Sequence, residues 1–132
     1  MIFGAESRLT AIPDYAFNRC TSLTQIELPF GVTSIGRFAF YGDSLLASVT
    51  FSGNEGANAL TTIGASAFED CAQLTSFVLS ESMANFGTDA FKGCYSLATV
   101  YNYSSLILVK GSSSYGYIAC YAKEIVEKEI AV

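Results

Sequence analysis

Histidine and tryptophan are both missing from the 132 residues, proline occurs only twice, and 14% of positions are charged. Without histidine the chain lacks the commonest general base, metal ligand and pH switch at once. Basic residues are scarce too. Seven Lys and Arg against twelve Asp and Glu leave a net charge of −5 and a pI near 4.5. That balance excludes phosphate-backbone recognition, where affinity comes mainly from Lys and Arg, so no nucleic-acid partner is expected. Long apolar runs are absent as well. Mean hydropathy is +0.37 with 51% apolar residues, yet no run approaches the ~20 residues that span a bilayer, so no membrane insertion is expected. The start, MIFGAESRLT, has no basic segment, apolar stretch or small-residue cleavage site, hence no signal peptide in this chain. Four cysteines are too few for a disulfide scaffold. The length suits one domain whose apolar residues pack in many short pieces.

Those pieces recur. Ala-Phe occurs at Ala16-Phe17, Ala39-Phe40, Ala67-Phe68 and Ala90-Phe91, so the phenylalanines step by 23, 28 and 23 residues. Leu23, Leu46, Leu74 and Leu97 keep the same steps, as do Ile12, Ile35, Ile63 and Phe86. A fixed period in this range marks a solenoid. The five extra residues fall within 52–59, whose SGNEGANA composition is that of a loop.

Each unit holds two short apolar stretches. Leu23-x-x-Ile26-x-Leu28 and its equivalents alternate like a strand with one buried side. Val32-x-x-Ile35, Leu60-x-x-Ile63 and Met83-x-x-Phe86 form the second stretch, each punctuated by Gly36, Gly64 or Gly87. The Ala-Phe step is too short for a full α-helix and predicts a single helical or 3-10 turn that drops Phe into the core. Units this small cannot bury their own apolar side, so they must stack. We expect about four repeats over 1–103 and a C-terminal capping segment over 104–132. In that segment Leu106–Val109 reads as a strand and Tyr117–Lys123 as a short helix, with Ile125 and Ile130 in a terminal strand or turn. Met1-Ile2-Phe3 reads as the tail of a strand whose beginning is missing, which suggests a section of a longer array with an N-terminal edge open to self-association.

The unit L-T-x-I-x-L-P-x-x-V-T-x-I-G-x-x-A-F, carried nearly letter for letter by Leu23–Phe40, resembles the BspA-like leucine-rich repeats of bacterial and protist surface proteins. The match covers roughly Leu9 to Tyr103, and GSSSYGYIACYAKEI is similar to the closing segment of that family. The resemblance implies an α/β repeat fold, a leucine-rich-repeat solenoid with parallel β-strands, short helical or 3-10 turns and a C-terminal cap. It also implies a cell-surface or secreted protein acting in adhesion, as a non-enzymatic protein- or glycan-binding module.

Candidate sites are few. Cys20, Cys71 and Cys94 each precede a repeat leucine by three residues, with Asp43 in their place in the second repeat. One position repeated is best explained as a column of small buried thiols rather than a metal or redox site. Cys120 stands outside the pattern as part of the cap core. Glu69, Asp70 and Asp89 are the only acidic cluster near a repeated position, and exposed turn carboxylates are usually just solvated. A polysaccharide-active solenoid enzyme would need such a cluster with Lys or Arg beside it, so no catalytic, metal or cofactor-binding residue is assigned. Strand alternation sends Gln25, Glu27, Ser48, Thr50, Ser76, Val78, Thr99 and Tyr101 outward, as two columns on the sheet face, and this is the expected binding surface. Six of the eight tyrosines lie at or after Tyr95; they either anchor an interface or plug the end of the core with their hydroxyls in water. The competing reading is a structural spacer whose function resides in other domains.

Overall fold

The apolar positions wind the chain into stacked coils whose parallel strands line two sides of the stack. The computed structural model describes residues 8–53 and 57–128. One side is lined by the four-residue strands β2 (Gln25–Leu28), β4 (Ser48–Phe51), β6 (Ser76–Leu79), β8 (Thr99–Asn102) and β9 (Glu124–Glu127). The other uses two-residue strands, β1 (Ala11–Ile12), β3 (Ser34–Ile35), β5 (Thr62–Ile63) and β7 (Asn85–Phe86). The short strands form one continuous sheet in the order β1-β3-β5-β7, whereas the long strands divide into β2-β4 and β6-β8-β9. Register follows the repeat, with Ile12 beside Ile35, Ile35 beside Ile63 and Ile63 beside Phe86. β9 supplies a fifth turn beyond the expected four, pairing Ile125 with Val100. Ile130 and the Met1-Ile2-Phe3 stretch lie outside the described residues.

The expected helical turns are not formed. Among the described residues there is no α-helix, and each Ala-Phe step is a run of consecutive turns. Alternate amides in these runs donate to the next coil instead of along a helix: Phe17 N to Ala39 O, Phe40 N to Ala67 O, Phe68 N to Ala90 O and Phe91 N to Gly116 O, all at 2.7 Å. The amides between them close short turns within the coil, as with Ala16 N to Pro13 O at 3.2 Å. Space explains the outcome. An α-helix is about 10 Å across with its side chains, while coils tied by sheets on both sides stack at a strand spacing of about 4.8 Å. Two positions per coil adopt positive φ to make this path, among them Ser66 at 55° and Asp70 at 63°.

The phenylalanines stack through the core as a spine. Ring centroids lie 5.3 Å apart for Phe17 and Phe40, 4.9 Å for Phe40 and Phe68, and 5.0 Å for Phe68 and Phe91, all near parallel. Phe77 packs edge-on against both Phe68 and Phe91. At the corner beside the spine the coils touch backbone to backbone. A Cβ on Gly64 would lie 2.7 Å from Arg37 N, and one on Gly87 would strike Ala65 N. The glycine column therefore permits close approach in addition to punctuating the turn.

The closing segment departs from expectation in two places. Leu106–Val109 alternates like a strand, with Leu108 buried and Ile107 and Val109 exposed, but no ladder forms. The residues that follow it toward a partner for β7 are Gly111-Ser112-Ser113, which offer no apolar side to bury. Residues 117–121 form turns, not a helix. Gly116 replaces the repeat alanine because it takes a φ of 65° and a Cβ there would meet Ala90 Cβ at 2.7 Å. Tyr117 then takes positive φ, and Ile118 and Ala119 fill the cap core while Cys120 is half-buried.

Candidate functional site

Alternation along the long strands buries Ile26, Leu28, Val49, Phe51, Phe77, Leu79 and Val100. Their neighbours must therefore face out. In β2 and β4 the outward pairs are Gln25 beside Ser48 and Glu27 beside Thr50. In the three-stranded sheet Ser76, Thr99 and Glu124 form one row, and Val78, Tyr101 and Val126 the other. All eight expected face residues lie on the long-strand side, but in two groups. β4 and β6 are neighbours tied across the seam by Thr75 N to Ala47 O at 3.3 Å, and they are not joined in one sheet.

The two groups differ in chemistry. The β2-β4 group is polar throughout, while the β6-β8-β9 group carries an apolar row whose Tyr101 and Val126 are each 37% exposed. Glu124 and Val126 extend the surface beyond the residues expected from sequence. Their signal was present as the alternation of Glu-Ile-Val-Glu, but without the repeat markers nothing set its register.

Asn102 carries no such signal in the sequence. It sits at the core position held by Leu28, Phe51 and Leu79 in other coils and is fully buried. Its Nδ2 donates to Leu106 O at 2.9 Å and Glu127 Oε2 at 3.0 Å, and its Oδ1 accepts from Ser104. A buried amide with its partners supplied specifies the path into the cap.

The cysteine position forms a column of thiols. Cys71 and Cys94 are buried and donate to Phe40 O at 3.1 Å and Phe68 O at 3.0 Å. Burial pushes the Cys71 thiol far up and Cys94 up to about 12, so both stay protonated hydrogen-bond donors and poor nucleophiles. Cys20 is raised by burial and then by the charge of Asp43. All four cysteines are free thiols. Asp43 occupies the same column fully buried. Its Oδ1 accepts the Cys20 amide at 2.7 Å while Oδ2 has no partner. Desolvation raises its carboxyl to about 7, against the smaller lowering from the Cys20 amide.

The acidic cluster has a backbone explanation. Asp70 and Asp89 both hold positive φ, a conformation Asp tolerates better than most residues. Glu69 accepts the Ser66 hydroxyl at 2.8 Å. Among the described residues no three His, Cys, Asp or Glu side chains gather as a metal site. The tyrosines divide. Tyr121 accepts the Gly93 amide through its hydroxyl at 3.2 Å and packs edge-on against Tyr95, plugging the cap, whereas Tyr95 itself is 72% exposed. Among the described residues no helix is long and apolar enough to cross a membrane.

The family model for the BspA type leucine rich repeat region matches residues 3–120 in six copies. A leucine-rich repeat protein from Bacteroides capillosus ATCC 29799 superposes with a TM-score of 0.58 at 30% identity, covering 71% of this chain and 63% of that one. A leucine rich cell surface protein from Faecalibacterium prausnitzii A2-165 gives a TM-score of 0.72 at 26% identity over 96% of this chain and 35% of that one. The leucine rich repeat protein of T. pallidum shares the fold at 22% identity and a TM-score of 0.55, covering 96% of this chain and 71% of that one. The chain thus spans less than two thirds of the length of the first two relatives. No curated protein matches the sequence significantly.

Proposed function

The chain belongs to the BspA-type leucine-rich-repeat family, and from that premise we propose that it is a non-enzymatic binding module of a bacterial cell-surface protein, holding a protein ligand on the outer face of β6, β8 and β9. The observation that carries this reading is the row Val78, Tyr101 and Val126, in register on three paired strands. Ser76, Thr99 and Glu124 run beside it. An apolar strip rimmed by polar groups on a rigid sheet is the composition of a protein contact surface, and Tyr101 supplies the kind of aromatic anchor that dominates such contacts. The surface placement draws on the Faecalibacterium relative, whose name places it at the cell surface.

The test is a binding screen of this chain against immobilised extracellular-matrix proteins, followed by Tyr101→Ala and Val126→Ser, with Thr50→Ala as control. Tyr101→Ala should weaken a captured ligand about tenfold or more, while stability changes by no more than about 0.5 kcal/mol, as at other surface positions. Equal loss from Thr50→Ala would move the site to the β2-β4 group, and no capture at all would favour a spacer. A stability loss in Tyr101→Ala as large as its binding loss would assign the ring to the core.

A further inference from the structure

On the turn side, away from the sheet face, the first two coils carry an aromatic and cationic cleft that the fold does not require. The residue two before each spine phenylalanine is Tyr15, Phe38, Ser66 or Asp89, all at positive φ between 55° and 61°. The residue two after it is Arg19, Gly42, Asp70 or Gly93, again at positive φ. The third and fourth coils thus fill these left-handed positions with small or acidic residues that accept them readily, whereas the first two place Tyr, Phe and Arg at three of their four, a strained choice that otherwise recurs only at Tyr115 in the cap among the described repeat positions. Strain held at an exposed position points to use rather than packing. Tyr15 is 54% exposed. Its ring lies parallel to Phe38 at 5.2 Å, Phe38 meets Tyr41 edge-on at 5.4 Å, and the Arg19 guanidinium sits over the Tyr41 ring at 5.6 Å. With Asn18 these four line a cleft of about 360 Å³.

Charge singles out the same corner. All three arginines of this acidic chain, Arg8, Arg19 and Arg37, precede the third coil. Among the described residues the one ion pair joins Arg37 to Asp14 at 3.4 Å, which leaves Arg19 without a carboxylate partner. We propose that this cleft binds a carboxylated pyranose, a uronic-acid residue of an acidic glycan. The C–H face of the sugar ring would lie on the apolar tyrosine and phenylalanine rings, its carboxylate on the Arg19 guanidinium, a planar donor matched to carboxylates, and its hydroxyls on the Asn18 amide. The cleft holds a single ring, too short for the run of contacts that an extended proline-rich peptide makes.

The experiment is an amide-resolved NMR titration of the chain with a hyaluronan tetrasaccharide, neutral cellotetraose and a proline-rich decapeptide. The variants Tyr15→Ser and Arg19→Asp install residues that the third coil already uses at those positions, so the fold tolerates them; unchanged melting confirms it. The hyaluronan fragment should give saturable shifts grouped on Asn18, Arg19 and Tyr41. These should be lost in Tyr15→Ser and weakened about tenfold in Arg19→Asp, the worth of one charge-assisted contact. Equal binding of cellotetraose, shifts from the peptide alone, binding retained in Tyr15→Ser, or no saturable shift from any probe would each overturn the proposal.

Discussion

The sheet of two-residue strands and the sheet of four-residue strands are wound from the same coils, yet only the shorter one runs unbroken past the insertion. Longer strands make more ladder bonds, so the reverse would be expected from strand length alone. The short strands lie beside the glycine corner and the turn runs, where coil-to-coil amide bonds recur at 2.7 Å and backbones touch. That side sets the coil spacing. On the other side the chain leaving β4 stays bonded to the preceding coil, through Ser52 N to Leu28 O at 3.0 Å and the Phe30 amide to Ser52 Oγ at 2.9 Å, and the insertion follows before the next coil begins. β4 keeps its ladder to β2 and has none to β6. Continuity in this stack comes from the corner and the spine, and the binding face inherits the break.

Four measurements test whether the corner and the spine, rather than the longer strands, hold the stack together. Phe68 sits in the spine where the long-strand sheet divides, so Phe68→Ala should cost about 3–5 kcal/mol and lower the melting temperature more than Phe17→Ala, whose ring is only half-buried. A loss below about 1 kcal/mol would mean the spine does not bridge the seam.

Next is the one coil whose column carries a carboxyl in place of a thiol. Asp43 titrates near 7 in the fold against 3.8 when free, so the folded state holds its proton more tightly. The neutral form is fully available below pH 3.8 and its stabilisation is lost as pH rises through about 7. Wild type should lose up to about 2–4 kcal/mol between pH 4 and 8 through this group. Asp43→Asn keeps an acceptor for the Cys20 amide and should remove that part of the dependence. Unchanged pH dependence in the variant would place its origin elsewhere.

Gly64→Ala tests the corner directly. The added methyl meets Arg37 N and Gly36 C, backbone atoms that cannot swing aside, and overpacking of this kind costs about 1–3 kcal/mol. A neutral result would show that the coils can separate there.

The smallest effect is one of protection. The Gly64 amide, bound to Ile35 O at 2.8 Å, should exchange with solvent more slowly than the Thr75 amide, bound across the seam to Ala47 O at 3.3 Å. The opposite order in a hydrogen-exchange experiment would contradict a weak seam.

Much of the molecule is legible in its residues alone. Leu, Ile and Phe at constant steps mark inward positions whatever the coil shape, because a small unit must share its core with its neighbours. Gln25 through Tyr101 can be sent outward by alternation. Three features are not legible in this way. The Ala-Phe step has the length and composition of a helical turn, and only the close spacing of coils on both sides forbids one. Asn102 has the look of a strand end, and its role depends on Leu106, Ser104 and Glu127 meeting it in space. The aromatic cleft draws on Tyr15, Asn18 and Arg19 from one coil and Phe38 and Tyr41 from the next, and such residues, far apart along the chain, become neighbours only after winding.

Residue type at a fixed step therefore sets the period and the inward column, and composition alone removes histidine chemistry. How the coils touch is settled only once the chain is wound. Winding replaced helices with coil-to-coil amide bonds, divided the outer face at the insertion, buried a carboxyl where its neighbours place thiols, and gathered rings and a guanidinium at one corner. Those outcomes turn on distances between coils, which no single repeat encodes.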